Sequence, residues 1–102
     1  ASAARLMYGA SLADGLAAFD KAFALAPDNI GIRYQYALTL SACDVDAYRG
    51  KIEDALTRTV NGKANGVYEA FVQARAKELR DTLKKGDMDA YAALVSRDQG
   101  NR

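Results

Sequence analysis

Any chemistry in this chain has to come from a short inventory: one thiol at Cys43, thirteen carboxylates, fourteen Lys or Arg side chains and no histidine. Without an imidazole, no unperturbed side chain titrates near neutrality to activate a nucleophile, and the commonest transition-metal ligand is missing. Cys43 lies on a helical stripe between Ala42 and Asp44 and reads as a small buried hydrophobe; being alone, it forms no intrachain disulfide. Asp44, Asp46, Asp87 and Asp89 fall at helix starts, where unpaired backbone N–H groups and the helix dipole stabilise carboxylates. Capping accounts for them without a metal or an acid–base pair. The glycines are dispersed at turns, so there is no phosphate-cradling loop. The expectation is a non-enzymatic protein with no cofactor and no metal.

Binding residues are easier to nominate. Gln73, Lys77, Arg80 and Lys84 follow one another at spacings of four, three and four and so share a helix face. Such a stripe could hold an acidic peptide or a terminal carboxylate by charge-assisted hydrogen bonds. The competing reading is a solvated helix face, since Asp81 stands four residues from both Lys77 and Lys85. The five basic and two acidic residues from Arg75 to Lys85 could also meet phosphates, but no nucleic-acid motif accompanies them and nucleic acid is not the expected partner. Tyr34 and Leu38 mark a second apolar side on their helix. They are expected either to anchor a partner or to be covered by the last hairpin.

The elements that must position these residues follow from periodicity and caps. With half the residues hydrophobic and one proline among 102 residues, the composition reads as a single all-α domain. Residues 3–8 look like the tail of an earlier helix closed by Gly9. From Ser11 to Ala26, Leu12, Leu16, Phe19 and Phe23 form one stripe, with Ser11 and Asp14 as a capping box and Pro27 as the stop. Asp28 or Asn29 caps the next helix, whose stripes are Ile32, Tyr36, Leu40 and Cys43 on one side and Tyr34 and Leu38 on the other. Asp44 or Asp46 starts a third, with Val45, Tyr48, Ile52, Ala55 or Leu56, and Thr59 inward. Residues 61–66 form the most loop-like stretch and a hinge candidate. A long helix, Val67 to Lys85, turns Tyr68, Phe71, Val72, Leu79 and Leu83 inward and stops at Gly86. Asp87 opens the last helix, with Met88, Tyr91, Leu94 and Val95; beyond it a flexible tail, 98–102, has no apolar anchor.

Consecutive helices joined by tight turns imply antiparallel neighbours. Within them, Gly15, Phe19, Ala22 and Pro27 recur at the spacing of the second helix of a tetratricopeptide repeat, which this segment resembles. Tyr36-Ala37 and Leu40 resemble the family's next first-helix positions, and Gly86-Asp87 followed by Ala90 resembles its glycine-aspartate turn. The repeats are degenerate: Gly9 to Cys43 spans the family period of 34 residues, whereas Cys43 to Gly86 spans 43. The resemblance implies a right-handed α-α superhelix of about three antiparallel hairpins, 3–26, 29–60 and 67–97, the first incomplete. It also implies a groove lined by the first helix of each hairpin, where Tyr34, Leu38, Gln73, Lys77, Arg80 and Lys84 would meet a protein or peptide.

The expected function is therefore a protein–protein interaction module. The alternatives are a structural or capping segment of a longer repeat protein, self-associating through apolar end faces, and a helical accessory domain of an enzyme or nucleic-acid-binding protein. A net charge near +1 supplies no global field toward nucleic acid or membrane. No apolar run approaches bilayer length, so a soluble protein is expected, cytoplasmic or exported after loss of a leader.

Overall fold

The computed structural model describes the backbone of residues 2–99 and the side chains of residues 13–99. The four helices are α1 (Ser2–Leu25), α2 (Ile30–Asn61), α3 (Val67–Lys85) and α4 (Met88–Asp98). The break expected at Gly9 is absent, because α1 runs unbroken through it. A single interior glycine costs a helix about 1 kcal/mol, and the alanine-rich flanks outweigh that. Ser11 accordingly lies within the helix rather than capping it, and residues 3–26 are one helix rather than a hairpin. The side chains of Leu6, Met7, Tyr8, Ser11 and Leu12, and residues 100–102 of the tail, lie outside the described residues.

Local signals place the other boundaries. Pro27 follows the last turn of α1, and the Asn29 side chain accepts a hydrogen bond from the Ile32 N–H at 3.1 Å to open α2. Asp44 breaks α2 with an extended backbone (φ −167°, ψ 97°), and its carboxylate accepts from the Ala47 N–H at 3.1 Å. Tyr48 also departs from helical geometry (φ −113°, ψ 16°). A straight helix of 32 residues would span about 48 Å, yet its two ends meet: a Cβ placed on Gly62 would lie 2.2 Å from Ile30 Cγ2. The limb 30–43 is therefore folded back on the limb 45–61. Asp87 caps α4 through the Ala90 N–H at 3.1 Å, and Gly86 adopts the left-handed conformation (φ 79°) that ends α3.

These limbs, α3 and α4 surround one core. Leu38, Leu40, Ile52, Leu56, Leu79 and Leu83 are fully buried within it, each contributing about 1.5–3 kcal/mol. Contacts along the elements fix their directions. Gln73 meets the end of the limb 45–61, and Arg49 donates to the Leu83 carbonyl at 3.1 Å, so α3 runs antiparallel to that limb. The α4 helix returns along α3, with Arg97 on Glu78 at 2.8 Å. It also lies along the limb 30–43, where Ser41 and Tyr91 share a buried hydroxyl pair at 2.8 Å. Outside this bundle, α1 leans on α2 through Phe19 and Phe23, both edge-on to Tyr36 at 5.3 and 5.1 Å between ring centroids. Among the described residues no helix is long and apolar enough to cross a membrane.

Candidate functional site

The return of α4 decides the fate of Tyr34 and Leu38. Neither is an exposed anchor: they are 4% and 1% accessible, because α4 covers the face expected to line a groove. The Tyr34 hydroxyl donates to Asp98. Asp98 also accepts from Arg75 and Arg97, each at 2.7 Å. Burial raises the Asp98 carboxyl pKa, but the hydrogen bonds from Arg97 and Tyr34 outweigh it and hold the carboxyl below the usual range. Burial and the bond to Asp98 push the Tyr34 phenol well above its ordinary value. The end of α4 is thus anchored by polar contacts, and the expectation of a loose tail fails at Asp98.

The stripe on α3 separates into unlike residues. Gln73 Nε2 points at the carbonyls of Thr59, Val60 and Gly62, at 3.2, 3.3 and 2.6 Å, and satisfies the C-terminal end of α2. Lys77 is bound to Asp81 at 2.7 Å, and this hydrogen bond is the main reason the Asp81 carboxyl is more acidic than usual. Arg80 is largely buried, and its Nε has no hydrogen-bond partner. Lys84 is exposed. One face therefore carries a helix cap, a surface ion pair, a packed arginine and a solvated lysine rather than a converging set of donors.

A different surface gathers half-buried and exposed apolar groups. Gly15, Ala18, Phe19 and Ala22 on α1, Gly31 and Ile32 at the start of α2, and Tyr68 on α3 line an open cleft of about 550 Å³. The i, i+3, i+4, i+7 spacing puts the α1 residues on one face. A Cβ placed on Gly15 would meet nothing within 4 Å, so the wall of the cleft is open there, whereas Tyr68 stands over Gly31, with Cε2 3.8 Å from a Cβ at that position. Asn29 and Gln35 are the polar groups of the lining. Beside it, Phe71 is 50% exposed with the Arg75 guanidinium 4.6 Å over its ring. The sequence pattern predicts Tyr68 and Phe71 inward, yet Tyr68 is 60% exposed; the buried stripe of α3 is Val72, Ala76, Leu79 and Leu83. Phe71 falls outside that four-three-four register, which is the signal in the sequence that marks it as different. Tyr68 continues the register, but it lies on the first turn of α3 beyond the packed core.

A second cleft, of about 540 Å³, lies across the first turn of α2, between the two ends of that helix. Its lining includes Arg33, Arg58 and Lys63 together with Asp28. Arg33 holds its guanidinium 3.9 Å over the Phe23 ring. Among the described residues no group of three or more metal-ligating side chains is assembled.

No family model, curated protein or solved structure matches the chain.

Proposed function

We propose that the chain is a protein–protein interaction module, not an enzyme, which receives an apolar peptide segment of a protein partner in the cleft between α1, the start of α2 and Tyr68. One observation carries this reading: small residues on α1 leave room where bulky side chains would have filled the space, and the wall opposite carries an aromatic side chain that the core does not use. Small floors beside exposed aromatic groups suit the insertion of an apolar anchor, the usual source of affinity in a peptide-binding groove. The partly charged surroundings favour a peptide over a polyanion, since Arg75 beside Phe71 is already committed to Asp98.

The resemblance of residues 15–27 to a tetratricopeptide repeat supports the same reading. Gly15, Phe19 and Ala22, which carry the resemblance, line the cleft, and Phe19 also packs on Tyr36. Antiparallel succession of α1, the limbs of α2, α3 and α4 agrees with stacked helical hairpins.

Peptides selected from a random display library on the intact chain test the proposal. A selected peptide should bind about tenfold or more weakly to Ala18→Arg and Tyr68→Glu, while Lys85→Glu leaves its affinity unchanged. Binding that ignores Ala18→Arg and Tyr68→Glu contradicts it. Concentration-dependent dimerisation abolished by the same substitutions favours instead a capping segment whose cleft meets another copy or a further repeat.

A further inference from the structure

The two clefts share the first turn of α2: Asn29, Gly31 and Ile32 border the apolar one, Asp28, Ile30 and Arg33 the polar one. We infer that the polar cleft takes an acidic side chain of the same peptide whose apolar anchor enters the neighbouring cleft. This rests on the reading of the chain as a peptide-binding module and adds the chemistry of its partner.

The charges support a carboxylate ligand. Three cations, Arg33, Arg58 and Lys63, line the polar cleft against one carboxylate, Asp28. Arg33 and Phe23 also border a neighbouring pocket with Asp20 and Asp54, but neither carboxylate forms an ion pair with Arg33. Arg33 is held by Phe23 rather than by an acid: its guanidinium lies on the ring at 3.9 Å and has no hydrogen-bond acceptor among the described residues. Stacking fixes the group in place while its N–H edge stays available for a planar anion, the arrangement in which arginine recognises carboxylates best. Lys63, exposed in the loop after α2, likewise has no acid partner among the described residues. Arg58 is bound to Asp54 at 2.8 Å, but both side chains are about 60% exposed, and such a surface pair exchanges partners at little cost. Asn61 and Asn65 add amide donors to the same lining. A net charge near +1 supplies no global attraction toward a nucleic acid, whereas a single carboxylate beside an apolar anchor matches both clefts.

The residues lie apart from the α3 stripe. They are not legible as a site in the sequence, because Arg33 and Lys63 are 30 positions apart and meet only when α2 folds back.

Display selection on the intact chain, followed by affinity measurements on a synthetic selected peptide, tests the inference. Selected peptides should pair an apolar or aromatic residue with Asp or Glu. Arg33→Gln together with Lys63→Gln should weaken such a peptide about tenfold or more, and changing its acidic residue to the amide should weaken the parent protein to the same degree but the double variant no further. Lys63→Gln alone, in an exposed loop, should weaken binding in the same direction if Arg33→Gln disturbs packing on Phe23. Peptides without acidic enrichment, or equal binding by the double variant, overturn the inference while leaving the module intact. A peptide lost on Tyr68→Glu but indifferent to Arg33→Gln and Lys63→Gln marks that case. Failure to select any peptide overturns both.

Discussion

Tyr34 and Asp98 stand 64 residues apart in the chain and are joined by a hydrogen bond from the phenol to the carboxylate. That contact ties the first limb of α2 to the last turn of α4, and it turns a face expected to bind a partner into the interior of the bundle. Removing the donor in Tyr34→Phe should cost about 1.5–3 kcal/mol, the range for a hydrogen bond to a charged group. The melting temperature should fall by about 4–8 °C per kcal/mol in a chain of this size.

The same network has a pH signature. Asp98 has a folded pKa below its ordinary value, so its contribution is complete above the unfolded value of about 3.9 and is lost as pH falls through the lower folded value. Asp98→Asn should therefore destabilise the protein at neutral pH and converge on the parent in strong acid. The Tyr34 phenol is shifted the other way. Its contribution is complete below the unfolded value of about 10 and falls as pH rises beyond it. Denaturant midpoints measured across pH check both limbs; a gap between Asp98→Asn and the parent that widens in acid would contradict the assignment.

Gln73 supplies a second test. Its amide faces three carbonyls at the end of α2, so Gln73→Ala should cost about 1 kcal/mol. Gln73→Glu, nearly isosteric, should cost more at neutral pH, because a carboxylate replaces the donor and faces acceptors. Equal stability of Gln73→Glu and the parent in denaturant melts would show that the capping role is wrong.

Two glycines within and just after α2 should respond with opposite sign. At Gly50 a Cβ meets nothing within 4 Å, so Gly50→Ala in a helical position should stabilise by about 0.5–1 kcal/mol. At Gly62 a Cβ would fall 2.2 Å from Ile30 Cγ2 and 3.1 Å from the Arg58 carbonyl oxygen. Gly62→Ala should therefore destabilise and loosen the contact between the two ends of α2, read as a lower melting temperature.

Arg80 tests whether the basic stripe is structural. Its Nε is buried without a hydrogen-bond partner and has only a long 3.9 Å ion pair with Asp81, and Arg80→Met keeps the aliphatic stem while removing that N–H. The substitution should be neutral or stabilising and should leave peptide affinity unchanged. A loss of affinity without a loss of stability would restore the stripe as a binding face.

Much of the fold is written locally. Asn29 and Asp87 cap their helices through the expected N–H groups, Asp44 does the same at the break in α2, and Gly86 takes the left-handed turn. These features depend on neighbours a few residues away, so spacing reveals them. Gly9 misleads because a glycine can end a helix or sit inside one, and the outcome depends on the residues that propagate the helix around it. Tyr34 and Leu38 read as apolar on a second face, but which face lies deeper depends on the distant α4. Asp98 looks like tail because no apolar residue follows it, whereas charge and hydrogen bonding hold it. The cleft is legible only in part: Gly15, Phe19 and Ala22 stand out by spacing, but the exposure of Tyr68 arises from the overhang of α3 beyond the core.

The most direct test of the central claim is backbone amide mapping by NMR, with a display-selected peptide titrated into the intact labelled chain. The account predicts the largest shifts at Gly15, Ala18, Gly31, Ile32 and Tyr68, extending to Arg33 and Lys63 when the peptide carries its acidic residue. Shifts confined to Lys77, Arg80 and Lys84, with the cleft amides unmoved, would contradict it.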